Sequence, residues 1–389
     1  MTVLSARETD QLLSPAAYEV RVLFDIKMKA RDGVLLSNDI YLPRAPGPFP
    51  TIVTRTPYEN SGENFMNWGI WWAQHGYAAV LGDTRGRYDS DGDFYPWISD
   101  PNDGDDTFEW IANQAWCDGK IGTWGRSYGG VNQWYQMPRS NPRISSTSPQ
   151  VTPADNWESA HYVNGASQWG LNTLIVPVWN VSLRAAGRPD LYNWDRIFRT
   201  LPLRDADLEM IGRRCDYFQD WYEHPTYDDY WKQFQWDNQY ERVHVPTRNQ
   251  CGWYDAYPLA TFKSWRGAVD NAPDPLVKRQ QRVLMGPWSH TDPTDGIRRA
   301  RYRGGRVPPE LIQPGEVHRY DLDLAPTANV FKADHRIRLD ITSSNFPRFD
   351  RNLNTGDDIG TGTRILTAQQ MVFHTAEYPS HVLLPIIPR

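Results

Sequence analysis

The spacing of apolar positions divides the chain into three regions. From about residue 20 to 150, short apolar runs alternate with amphipathic stretches, the pattern of strands joined by helices in a mostly parallel sheet. Residues 51–53, 78–81 and 121–124 read as strands, and 64–74 and 105–114 as helices. Asp103, Asp105 and Asp106 fall at the start of the second helix, where the helix dipole favours negative charge. Between about 153 and 240 the strand signals fade, and Trp157, Trp169, Trp194, Trp221, Trp231 and Trp236 recur at helix-like spacing. The α/β pattern resumes over 243–290, so this helical insertion is expected to lie over the sheet as a cap. After about residue 303, strict alternation over 320–324 and 336–341 predicts half-buried antiparallel strands. The apolar run 382–387 predicts another, together giving a small β-sandwich.

Composition narrows the function classes. With 389 residues, 40% hydrophobic and 23% charged, the chain is long enough for two or three domains around a large core. Its 41 basic and 47 acidic residues are mixed throughout, so no basic stripe exists to neutralise phosphates, and nucleic acid is not an expected partner. The first ten residues are polar and charged where a secretory signal needs an apolar core, and no stretch approaches the roughly 20 apolar residues of a membrane span. A cytoplasmic protein without membrane association is expected. Cys117, Cys215 and Cys251 are odd in number and far apart, which suggests neither a disulfide framework nor a zinc site. The 18 Trp and 20 Tyr residues suit either core packing or the lining of an apolar pocket.

The strongest local signal is Gly125-Arg126-Ser127-Tyr128-Gly129, which follows a strand-like run and precedes a helix-like one. In that context G-x-S-x-G forms a sharp strand-to-helix turn that lifts the serine hydroxyl above an α/β-hydrolase sheet. A serine hydroxyl is a weak nucleophile and needs a base of pKa near 7 within hydrogen-bond reach. Two later segments offer the partners in the order Ser, Asp, His: Asp255 ends Gly252-Trp253-Tyr254-Asp255, and His290 ends Gly286-Pro287-Trp288-Ser289-His290. Taken singly, Ser127 also reads as a turn serine, Asp255 as a loop carboxylate and His290 as a surface histidine. Together they predict a catalytic triad with Ser127 as nucleophile, His290 as base and Asp255 orienting the histidine.

With these segments in view, the chain resembles the cocaine esterase family, which is similar to α-amino acid ester hydrolases and X-prolyl dipeptidyl-peptidases. The matching stretches are Arg55-Thr56-Pro57-Tyr58, Asp83-Thr84-Arg85-Gly86-Arg87, residues 114–120, the Ser127 turn, the Asp255 and His290 segments, and near the C-terminus residues 343–352 and 378–385. The resemblance implies an α/β-hydrolase domain over 1–150 and 241–295, a helical cap over 151–240 and a jelly-roll β-sandwich over 296–389. It also implies that Tyr58 donates its phenol O–H to the reaction's oxyanion, beside the backbone N–H of Tyr128. No metal or organic cofactor is implied, and the substrate would be a small ester or a short peptide-like molecule. Oligomeric state is not legible.

The chain departs from the family in three places. A long stretch between His290 and about Gly296 is missing, along with the helix that normally follows the histidine. The jelly roll is therefore expected to be truncated, with about four strand-like runs against about eight in a complete one. The run Thr247-Arg248-Asn249-Gln250 is polar where a buried parallel strand should be apolar, which puts the placement of Asp255 at issue. His161 occupies a position where amino-ester hydrolases carry an ammonium-binding carboxylate. The expected activity is hydrolysis of carboxylic esters, or of amides, through an acyl-enzyme intermediate. The alternatives are an X-prolyl dipeptidyl-peptidase and a catalytically impaired, truncated homologue that serves binding. Asp89-Ser90-Asp91-Gly92-Asp93 lacks the spacing of a calcium loop and reads as a polar turn.

Overall fold

The computed structural model describes residues 14–286 except 181–190, and 297–383 except 306–307, 323, 325–335 and 337. A hairpin of β1 (Val20–Lys29) and β2 (Leu35–Pro43) opens an eight-stranded sheet. The sheet continues through β3 (Phe49–Thr56), β4 (Ala78–Asp83), β5 (Cys117–Arg126), β6 (Ile144–Gln150), β9 (Arg248–Gly252) and β10 (Arg282–Gly286). The spatial order is β1-β2-β4-β3-β5-β6-β9-β10. The β1/β2 and β2/β4 pairs are antiparallel and the remaining pairs parallel. The expected strands at 51–53, 78–81 and 121–124 lie within β3, β4 and β5. β4 is buried at every position, as befits a strand covered on both faces.

Two helices link these strands, α1 (Glu63–Gln74) and α2 (Asp100–Ala112). The second begins earlier than the expected residue 105, with Pro101 in its first turn, where a missing N–H costs nothing. Asp100 and Asp103 therefore occupy that turn, and Asp105 and Asp106 lie further along the helix. Helix α3 (Tyr128–Gln136) packs with α2 against β5. Tyr240 ties α3 to α9 (Pro258–Asn271): its ring meets Trp134 edge-on at 6.0 Å and fills the space left by Gly267. These three helices share one face of the sheet. α1 lies on the other, with Trp68 and Trp72 against Trp124 of β5.

That unequal cover accounts for the polar run at 247–250. Burial alternates along β9: Asn249 and Cys251 are buried, Arg248 is exposed and Gln250 half-buried. The strand forms despite its polarity because a strand covered on one side needs only every second position out of water. Register places Arg126, Gln150, Gln250 and Leu284 in one row across β5, β6, β9 and β10.

Between β6 and β9 lies a helical region. It comprises a hairpin of β7 (Tyr162–Val163) and β8 (Ala166–Ser167) and helices α4 (Trp169–Asn180), α5 (Trp194–Phe198), α6 (Ala206–Ile211), α7 (Asp216–Glu223) and α8 (Asp229–Lys232). Its aromatic core, including Trp179, Trp221, Trp231 and Trp236, is continuous with Tyr128, Trp134 and Tyr135 of α3, so this cap is joined firmly to the helix behind the Ser127 turn. After β9, α9 and α10 (Pro275–Gln280) lead to β10.

Among the described residues of 297–383, β pairing is limited to one bridge, His374 with Pro379. The expected strands at 320–324 and 336–341 form no ladder at their described positions. An alternating segment becomes a strand only with a neighbour to bond, and among the described residues none lies beside these two. The expected run at 382–387 lies outside the described residues from 384 onward. The segment clasps the cap instead. Asp350 Oδ1 accepts the Ser167 N–H at 2.9 Å and pairs with Arg299 at 2.5 Å, both side chains almost fully buried. Tyr302 enters the aromatic core and donates to the Pro225 carbonyl at 3.1 Å. Among the described residues, no helix is long and apolar enough to cross a membrane.

Candidate active site

The C-terminal ends of the parallel strands, where open α/β sheets bind ligands, carry Tyr58, Ser127, Tyr128 and Asp255. Ser127 follows β5 directly and has φ 52° and ψ −119°, a conformation that non-glycine residues rarely adopt. The turn is held by Ser127 N–H to the Gln150 carbonyl at 2.9 Å, and by the Gly130 and Val131 N–H groups to the Ser127 carbonyl, both at 2.9 Å. Space demands its glycines. A Cβ on Gly125 would lie 2.8 Å from the Gly129 carbonyl oxygen, and one on Gly130 would lie 2.3 Å from Thr152 Cγ2.

Tyr58 comes from the loop after β3, and its phenol faces both the Ser127 hydroxyl and the Tyr128 backbone N–H. Burial raises its pKa, outweighing these contacts and the nearby Arg87, so the phenol remains a donor at neutral pH. Arg87 fixes this loop: fully buried, it donates to the Pro57 carbonyl at 3.1 Å and to the carbonyl of Trp179 in α4.

Behind the turn, the Tyr128 phenol donates to Asp100 Oδ2 at 2.6 Å and accepts the Trp97 N–H at 3.0 Å. Asp100 Oδ1 in turn pairs with Arg55 at 3.0 Å, with both side chains only 5% exposed. Burial raises the Asp100 pKa, and Arg55 opposes it. This chain of contacts holds α3, and with it the Tyr128 N–H, against the loop that carries Tyr58. The sequence points to Tyr128 for its amide alone. The part its ring plays, and Asp100 altogether, escape sequence reasoning because partners 28 residues apart leave no local pattern.

Asp255 is buried three residues beyond the end of β9 and accepts the Tyr257 N–H at 3.1 Å through Oδ1. The Cys251 thiol lies close by, its pKa pushed up to about 12 by burial and then by the Asp255 charge. Trp253 N–H donates to the Gly286 carbonyl at 2.9 Å, which binds the end of β9 to the end of β10. His290 lies outside the described residues, four positions after Gly286. A cavity of about 190 Å³ opens at the turn, lined by Ser127, Tyr58, Phe65, Trp68, Trp124 and Arg126 among others.

His161 ends a short π-helical turn (Trp157–His161) in the cap and is buried. Its Nδ1 is 2.7 Å from Asn172 Oδ1, and its ring stacks on Trp221 with centroids 4.0 Å apart. Burial pushes its pKa down to about 4. The 89–93 segment forms a turn closed by Gly86 N–H to the Asp91 carbonyl at 3.0 Å.

The model of the X-Pro dipeptidyl-peptidase family S15 matches residues 32–292. The chain belongs to that family. The family's C-terminal non-catalytic domain matches residues 289–383. S15 relatives are serine hydrolases, and their names range over esterases and peptidases. Cocaine esterase of Rhodococcus sp. (strain MB1 Bresler) is 23% identical over 580 positions, covering 95% of this chain and 99% of its own. An alignment of 580 positions against 389 residues places the missing stretch inside the chain. A protein of Mycobacterium bovis described as a serine esterase is 29% identical over 75% of this chain and 54% of its own length. Among solved structures, an α-amino acid ester hydrolase superimposes with a TM-score of 0.58 at 21% identity, covering 75% of this chain and 50% of its own. An aminopeptidase of a marine sediment Thaumarchaeota archaeon gives 0.57 at 20%, with 75% and 51% covered. The chain thus spans about half the length of these two structures, which share its α/β-hydrolase fold.

Proposed function

We propose that this protein hydrolyses carboxylic esters through an acyl-enzyme intermediate. Ser127 Oγ attacks the carbonyl carbon while His290 takes its proton. The tetrahedral oxyanion lies between the Tyr58 phenol and the Tyr128 N–H, and its collapse expels the alcohol, which leaves with the proton from His290. Water, deprotonated by His290, then attacks the acyl-serine, and as the second tetrahedral intermediate collapses His290 returns that proton to Ser127 Oγ and the acid is released. Asp255 orients the histidine and stabilises its charged form. The observation that carries this reading is the strained Ser127 turn with the neutral Tyr58 phenol facing its hydroxyl.

Labelling with a fluorophosphonate probe, beside a Ser127→Ala control and followed by peptide mass spectrometry, tests it. An adduct on Ser127 that is lost in the control supports an activated nucleophile. A folded protein that takes no label sinks the reading and favours a binding protein. An X-prolyl dipeptidyl-peptidase is the second reading, supported by the family match. Against it stands His161, which is neutral at pH 7 and offers no charge to a substrate ammonium. Turnover of an aryl acetate against a dipeptidyl-proline anilide separates the two.

A further inference from the structure

Four arginines on or flanking β3, β4, α3 and β6 are matched to carboxylates. Arg55 is paired with Asp100, Arg85 with Asp103, Arg139 with Asp105 and Arg143 with Glu109. Arg126, next to Ser127, differs: it is exposed, and no carboxylate among the described residues pairs with it. Strand alternation sets it on the same face as Trp124, and both line the cavity that reaches Ser127 and Tyr58. Opposite lie Phe65 and Trp68 of α1, with ring centroids 5.1 Å apart. Trp68 meets Trp124 edge-on at 4.5 Å. The cavity therefore offers aromatic walls, a guanidinium with no carboxylate partner among the described residues, and the candidate nucleophile.

We propose that this cavity is a substrate subsite for an aryl group bearing a carboxylate, with Arg126 as its counter-charge. The inference rests on the ester-hydrolase reading and specifies its substrate class. An apolar cavity of about 150 Å³ accommodates a benzene ring, and the roughly 190 Å³ here leaves room for a ring and a small substituent. The planar fork of a guanidinium matches a carboxylate with two parallel hydrogen bonds, and π faces suit an aryl ring rather than a flexible chain. The aryl carboxylate can belong to the alcohol or to the acid of the ester, and both sources present the same chemistry to the cavity.

Two matched pairs of esters test this. Phenyl acetate against 3-acetoxybenzoate places the carboxylate on the leaving group. 4-Nitrophenyl benzoate against the mono-4-nitrophenyl ester of isophthalic acid places it on the acyl group. The expected result is a kcat/KM ratio favouring the charged member of one pair by about ten- to a hundred-fold, carried mainly by KM, as for a hydrogen bond between charged groups. That ratio falls towards one in Arg126→Ala, is partly kept in Arg126→Lys, and in the unaltered protein shrinks as salt is raised. Equal handling of both members in both pairs by an enzyme that turns them over overturns the subsite and leaves the hydrolase reading standing. A preference that survives Arg126→Ala also overturns it. No turnover of any of the four, with no fluorophosphonate label on Ser127, overturns both.

Discussion

His161 makes stability depend on pH in a way that can be worked out in advance. The ring is buried among Trp97, Trp221 and Trp231, and its pKa is pushed down to about 4 from an ordinary 6.5. Between those values the unfolded chain binds a proton that the folded one refuses, so stability falls as pH falls through this window and is fully present above it. The gap between the two values corresponds to about 3 kcal/mol over the whole window, of which about 2 kcal/mol is lost between pH 7 and pH 5. His161→Phe keeps an aromatic ring of similar size, removes the titration, and forfeits the hydrogen bond to Asn172. Urea unfolding of both proteins at pH 7, 6 and 5 isolates the effect, because every other titrating group cancels in the difference. The variant should be the less stable at pH 7 and should gain about 2 kcal/mol on the wild type by pH 5. A difference between the two that stays constant with pH would refute the reasoning.

Three further outcomes are expected. Tyr58→Phe should lower kcat for an aryl acetate by on the order of 100-fold with little change in KM, since a lost oxyanion donor acts mainly in the transition state; unchanged turnover removes Tyr58 from the mechanism. Arg55→Met should cost about 3–5 kcal/mol in urea unfolding, because Asp100 keeps its buried position and loses its counter-charge; a cost below about 1 kcal/mol would mean that Tyr128 alone satisfies that carboxylate. Asp350→Asn should make the residues after 297 more sensitive to limited proteolysis, because the carboxylate joins Arg299 to the Ser167 amide; a digestion pattern like the wild type's would mean that Tyr302 holds the segment without it.

Much of the sheet is legible in the sequence because its central strands are largely withdrawn from water, β4 at every position and β3 and β5 alternating between buried and half-buried over 51–53 and 121–124. β6 is not, since Ser145, Ser146 and Ser148 carry no apolar signal, and β9 misleads, since its polarity reads as disqualifying until the alternation of burial along it is seen. Of the candidate site, Ser127 is legible because its glycines are demanded locally. Asp255 and His290 are candidates only as members of a set, and His290 lies outside the described residues. Asp100, Arg55 and Arg126 are not, since their roles depend on which strands and helices become neighbours. The C-terminal segment shows the limit most clearly: its alternation is that of a strand, and a strand is a property of two segments, not one.

The row formed by Arg126, Gln150, Gln250 and Leu284 bears on how the protein tolerates its internal shortening. A loss that strips cover from a sheet ordinarily leaves a greasy scar that seeds aggregation. Here the exposed neighbouring positions are Ser146, Arg248 and Arg282, and Leu284 stands out among them, 40% exposed. Hydroxyls and guanidiniums hydrate readily, and they lie next to a short edge strand of five residues that would otherwise invite pairing. Among the described residues the exposed positions of this face can therefore be wetted without help from a second chain, and concentration-dependent scattering at neutral pH, with Leu284→Ser beside the wild type, is the place to see whether that leucine is its point of adhesion.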